Sequence, residues 1–231
     1  DLHSFPTRRS SDLWQRTGGG KRLLGRGAAC GAEGRREDAG TDAVSDPVRG
    51  AGPLVKRIAG VLYPDSEAER FAWVLDEAKR LWGEPDLIGE PIPFTLTDYY
   101  RDIAPCLMRR FICFRGLADA GGLADWKRAA CALEARSRTP RAVNVDPGYV
   151  DGARLVLAST KDHAHRIWLR DGIYAEVTLR FRFGGWRSFD YTFPDFRGGC
   201  YDAFLTETRR LWLAETAHLR RGQGGARRSP E

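Results

Sequence analysis

Between residues 54 and 216 the apolar side chains follow two alternating rhythms, and this alternation limits the fold more than any other feature. Runs with every second residue apolar suit a strand with one buried face, and spacings of three and four suit a helix. "KRIAGVLYP" (56–64) reads as a short buried strand. "SEAERFAWVLDEAKRLW" (66–82) reads as a helix with a capping box from Ser66 and Glu69. Its apolar face holds Phe71, Val74, Leu75, Ala78, Leu81 and Trp82. After a proline-broken extended segment, "IGEPIPFTLTDYY", comes a second strand, "RRFICFRGL". A second helix follows from about Gly122 to Arg136, with Leu123, Trp126, Ala130 and Leu133 facing in. "RAVNVDPGYV" is a further strand, ending in a turn at Asp146-Pro147-Gly148. The order βαββαβ predicts an α/β (α+β) fold with a ferredoxin-like core.

The remainder extends that core with an antiparallel hairpin and a final helix. In "HRIWLRDGIYAEVTLRF" the turn signal is Asp171-Gly172, and register decides the loop length. A two-residue loop sets Leu169 beside Tyr174 and Ile167 beside Glu176. A three-residue loop with Gly172 left-handed pairs Leu169 with Ile173, Ile167 with Ala175 and His165 with Val177. The second register also sets Arg166 opposite Glu176 and Trp168 opposite Tyr174, and it is preferred. "RGGCYDAFLTETRRLWLAE" supplies the last helix.

The chain carries 37 basic and 31 acidic residues, but the excess sits at its ends. Residues 1–53 hold 9 basic and 7 acidic residues, residues 54–216 hold 24 and 23, and residues 217–231 hold 4 and 1. A nearly neutral core without a cationic block does not suit nucleic acid, which needs clustered cations to displace counterions. Cys30, Cys106, Cys113, Cys131 and Cys200 form no C-x-x-C pair and are odd in number. With no signal-peptide pattern, reduced thiols in a cytoplasmic protein are expected. No apolar run reaches the ~18 residues of a membrane helix, so no membrane association is expected.

Residues 14–53 and 217–231 are rich in Gly and Arg and lack an apolar period, so both are expected to be disordered. A single globular domain over 54–216 is expected between them. "HSFPTRRSSDL" resembles the conceptual translation of a widely used sequencing adapter, and residues 1–53 read as an artefactual segment.

The segments "GVLYPD", "PFTLTDYY", "VNVDPGYV", "LASTKDHAHRIWL", "GIYAEVTLRF" and "YTFPDFR", in this order, closely resemble the bacterial family called domain of unknown function 4416. The likeness covers about residues 55–216 and carries over no established activity. A P-loop for GTP is not expected. Its G-x-x-x-x-G-K-[ST] pattern has a nearest candidate at Gly20-Lys21, but Gln15 replaces the first glycine and Arg22 the final hydroxyl. Thr160-Lys161-Asp162 lacks the spacer of a guanine-reading element.

Candidate chemistry concentrates in the family-like segments. His163 and His165 on a strand would share a face and can chelate a metal with Asp98, Asp146 or Glu176. The family resemblance, however, implies an aromatic residue at His163, and the preferred register puts His165 on the apolar face, so no metal is assigned. Lys161 and Arg166 offer charge-assisted donors to an anion, although Arg166 also has Glu176 as a cross-strand partner. Asn144 and Asp146 share the face opposite Val143 and Val145, either lining a groove or holding an Asx turn. Asp98, Tyr99 and Tyr100 read as a polar rim or an aromatic cluster, and Pro194-Asp195 as a lead into the last helix.

These residues point to a pocket for a small anionic or phosphorylated metabolite. Lys161 and Arg166 hold the anion there, with Asn144, Tyr100, Tyr174 and Glu176 as further ligand contacts. His165 acts as general acid or base, oriented by Asp146 or Asp98. The alternative is a non-catalytic interaction or oligomerisation module built on a sheet face carrying Trp168 and Tyr174. Cofactor and oligomeric state are left open.

Overall fold

The hairpin at Asp171-Gly172 shows how local chemistry and packing share control of this fold. In the computed structural model, which describes residues 52–95, 103–137 and 142–224 (side chains to 217), this turn has two residues. Asp171 and Gly172 take φ of 54° and 73°, a loop with both central residues left-handed. Arg170 pairs with Ile173, yet Trp168 still pairs with Tyr174 and Ile167 with Ala175, because a bulge separates Trp168 from Arg170. The expected Leu169–Ile173 pair is thus replaced: the loop length is that of the alternative, two-residue turn, while the pairs beyond the bulge are those of the preferred register. The bulge lets the tight turn coexist with the face that buries Ile173.

The strands are β1 (Leu54–Pro64), β2 (Pro85–Ile88), β3 (Ile92–Phe94), β4 (Leu107–Phe114), β5 (Ala118–Asp119), β6 (Asn144–Val150), β7 (Arg154–Ser159), β8 (Ile167–Arg170), β9 (Ile173–Arg182) and β10 (Gly185–Ser188). The helices are α1 (Ala68–Trp82), α2 (Leu123–Ser137), the short α3 (Pro194–Arg197) and α4 (Asp202–Gly224), which continues past the boundary expected at 216. The strands form a ten-stranded sheet in the order β10-β9-β7-β6-β1-β4-β2, with β3 on β4, β5 on β1 and β8 on β9. Every pairing is antiparallel. This corrects the expected ferredoxin-like core with an appended hairpin. The described fold is organised on one antiparallel sheet: β7 bonds to the edge of β6, and β9 to β7, so the second half continues that sheet. Local periodicity identifies strands but not which edge the next strand joins.

Alternation along β1 separates two cores. Val55, Ala59, Val61 and Tyr63 pack with α1 and α2, while Ile58 packs on the other face with Phe111, Phe204 and Leu205. The α1 face buries Phe71, Val74, Ala78 and Trp82, but Leu81 is 43% exposed, contrary to its assignment. Nor does the capping box form: Glu67 is the cap, without a side-chain cap bond, and it pairs with Arg70 instead at 2.7 Å. On α2, Leu123, Trp126, Ala130 and Leu133 are buried as the spacing predicts.

Asp146-Pro147-Gly148 is not a turn, because β6 runs straight through it and pairs with β1 from Asn144 to Val150. Pro147 has no N–H to give a ladder, and pairing with β7 starts only at Gly148. The strands β6 and β7 therefore separate beside Asp146. On β9, a register shift opposite Leu155 and Val156 changes the alternation. Glu176 and Thr178 line the cleft described below, while Leu179 and Phe181 join the core on that side of the sheet.

Candidate functional site

Where β6 and β7 part, the face opposite α1 and α2 opens into a cleft of about 440 Å³. Gly60 and Phe111 contribute to its lining from β1 and β4, and Phe193 and Phe196 from the α3 region. A Cβ on Gly60 would meet Phe111 Cε1 at 2.7 Å, so only glycine leaves the Phe111 ring its place. The polar lining comes from Arg109, Asp146, Ser159, Lys161, His163, His165, Arg166 and Glu176.

A chain of buried charges supports this cleft. Lys127 on α2 donates to Val145 O at 2.8 Å and to Asp146 Oδ1 at 3.0 Å. Glu134, 3.7 Å from Lys127, accepts the Val145 N–H at 2.7 Å. Arg109 lies 3.9 Å from Asp146 Oδ2 and donates to Asp195 Oδ2, which also accepts the Tyr201 hydroxyl at 3.0 Å. The guanidinium sits 4.6 Å over the Phe94 ring.

Burial alone would raise the Asp146 carboxyl, but Lys127 and Arg109 outweigh it and hold the group below its ordinary value. Burial likewise opposes the Lys127 charge, and Asp146 and Glu134 more than offset it, raising its pKa. At Asp195 burial wins over Arg109, and the carboxyl is pushed up. Its Oδ1 is buried and has no hydrogen-bond partner among the described residues.

At the rim, Glu176 organises the loop that carries the two histidines. Its Oε2 accepts from Arg166 Nε at 2.8 Å and lies 3.1 Å from His165 Nε2. Arg166 also donates to Ser159 Oγ at 2.8 Å and Lys161 O at 3.1 Å, tying residues 159–166 together. Burial and the neighbouring Arg166 lower the Lys161 pKa. The rings of His165 and Tyr191 stack at 4.3 Å and 6°, and those of His163 and His165 at 5.7 Å and 10°.

Among the expected site residues, Asp146, Lys161, His165, Arg166 and Glu176 meet in this cleft. Asn144 stands behind it, giving a hydrogen bond to Asp146 Oδ2 at 2.8 Å. Tyr174 lies opposite Trp168 but does not line the cleft. Asp98, Tyr99 and Tyr100 lie outside the described residues. One expectation is corrected: His165 precedes β8 and faces Glu176 rather than pairing with Val177 on the apolar face. Among the described residues the carboxylate in contact with His165 is Glu176, while Asp146 is held by Lys127 and Asn144.

The sequence did not single out Arg109, Lys127 and Glu134, although periodicity carried a signal for each, and it offered Asp195 only as a lead into the last helix. Lys127 and Glu134 fall on the inward face of α2 with Leu123, Trp126, Ala130 and Leu133. Arg109 alternates in register with Leu107, Phe111 and Cys113. Asp195 had only its place in "YTFPDFR". Among the described residues no group of three or more His, Cys, Asp or Glu is placed to hold a metal ion. No helix among them is long and apolar enough to cross a membrane.

Comparison with known proteins adds a family without a described activity. The family model "Domain of unknown function (DUF4416)" matches residues 53–212. No curated protein and no solved structure matches the chain.

Proposed function

The chain belongs to the DUF4416 family, and on that footing we propose that its cleft binds a small anionic or phosphorylated metabolite. Lys161 and Arg166 hold the anion, and His165, oriented by Glu176, gives or takes a proton at the bound molecule. One observation carries this reading: Lys161, His165, Arg166 and Glu176 line the same cleft as the buried Arg109 and the half-buried Asp146. Histidine suits proton transfer near neutral pH, and a carboxylate on one ring nitrogen fixes which nitrogen faces the ligand. The buried network beneath supplies a rigid polar wall that needs no reorganisation when a charge enters.

The test is a thermal-shift screen of anionic metabolites on the full chain and on variants His165→Ala and Lys161→Ala. A ligand that raises the melting temperature of the parent should bind about 10- to 100-fold more weakly to Lys161→Ala, the worth of a charged hydrogen bond. If any turnover is found, His165→Ala should slow it about 10²- to 10⁴-fold. Unchanged ligand shifts in both variants would refute the reading.

A second reading, an interaction module, is favoured by Ile167 and Trp168, 68% and 60% exposed on β8. Under it Trp168→Ala lowers the sedimentation coefficient of the free protein and leaves the ligand shifts intact.

A further inference from the structure

The rings at the cleft form a longer series than its two histidines. Phe189 and Tyr191 stack at 5.1 Å and 5°, so Phe189, Tyr191, His165 and His163 form one near-parallel array. Neighbouring bonds hold it in place. The Tyr191 hydroxyl donates to Val177 O at 3.1 Å, and His165 is fixed by Glu176. One end is closed by the Arg180 guanidinium, 5.3 Å over the Phe189 ring. The other end is His163, which is exposed and lines the cleft. Among the described residues no further ring stacks on it.

From this arrangement we infer that the ligand of the cleft is an oxyanion carried on a planar aromatic ring, whose face completes the array at His163. The inference rests on the anion-binding reading above and adds the body of the molecule to its charge. Lys161, two residues from His163 and lining the same cleft, takes the oxyanion. Phe193, 37% exposed and also in the lining, provides apolar surface for the ring. A preformed, parallel array favours a flat partner over a saturated one, because offset stacking adds to the area buried. A puckered ring of similar size buries comparable area without that addition.

Two matched pairs of probes test this on the full chain by ligand-observed NMR titration: phenyl against cyclohexyl phosphate, and benzoate against cyclohexanecarboxylate. The aromatic member of at least one pair should bind about 2- to 12-fold tighter, the worth of one aromatic contact beyond its area. The pair showing it identifies the oxyanion as phosphate or carboxylate. His163→Ala should abolish the preference by weakening the aromatic probe more than the saturated one, and Lys161→Ala should weaken both members equally. Equal binding within both pairs, or a preference that survives in His163→Ala, overturns the planar-ring inference alone. No binding by any of the four probes overturns the anion reading and this inference with it.

Discussion

Replacing Lys127 by Met removes the cation that joins α2 to β6 and keeps most of the side-chain volume. It leaves Asp146 without its 3.0 Å partner, Glu134 without its 3.7 Å neighbour and Val145 O without its donor. Lys127 is 5% exposed, so water does not reach the gap freely. Breaking a buried pair costs about 3–5 kcal/mol. Arg109, 3.9 Å from Asp146, still offsets part of the charge, so the lower end of that range is expected. At a urea m-value of about 2 kcal/mol/M, the unfolding midpoint falls by about 1.5 M at pH 7.

The cost should depend on pH. The depressed Asp146 pKa contributes stability above the unfolded carboxyl value of about 3.9, lost as pH falls through the folded value. The raised Lys127 pKa contributes stability below about 10.4, lost as pH rises through the folded value. In Lys127→Met, Asp146 keeps its burial and loses its main cation, so it takes up a proton at higher pH than in the parent. The difference between the two proteins should therefore be full near pH 7. It should shrink below about pH 5 and again above about pH 10.4. Urea titrations at pH 4.5, 7 and 8 measure the acid limb and the plateau of this dependence. A loss under about 1 kcal/mol at pH 7, or one independent of pH, would refute the assignment of Lys127 as the cation that keeps Asp146 ionised.

Gly60→Ala puts a methyl 2.7 Å from the Phe111 ring, itself only 3% exposed, so the core must shift. Overpacking of this kind costs about 1–3 kcal/mol, read as a melting temperature lower by about 2–12 °C. An unchanged melting temperature would show that Phe111 has room to move. Burial pushes the Cys113 thiol up to about 12, so little thiolate forms at pH 8, whereas Cys106 is exposed. Iodoacetamide at pH 8 should alkylate Cys106 in the native protein and Cys113 only after unfolding, as peptide mass mapping would read. Equal labelling of both in the native state would contradict the buried site.

Much of the local structure was legible because it depends on near neighbours. Val143 and Val145 pack toward the helices with Asn144 and Asp146 opposite, as period two requires. Arg166 meets Glu176 because two strands joined by a tight turn bring those positions together. The site was half legible for the same reason. Its rim belongs to one hairpin and the loop before it, but its floor is assembled from distant segments. Arg109 and Asp195 meet across a separation of 86 residues, and nothing local distinguishes a buried arginine from an exposed one.

The sequence by itself determined most of the principal strands and helices, most of their inward-facing positions and the hairpin turn at Asp171-Gly172, since periodicity and turn chemistry act over a few residues. It also determined family membership, through short segments kept in order along the chain. Only the tertiary structure decided that these pieces build one ten-stranded sheet, which corrected the smaller core expected. It alone turned Pro147 from a turn signal into the point where β6 and β7 part, and gave His165 Glu176 rather than Asp146. The reason is physical: strand edges and buried charges find their partners by long-range hydrogen bonding and desolvation, and neither leaves a local mark on the chain.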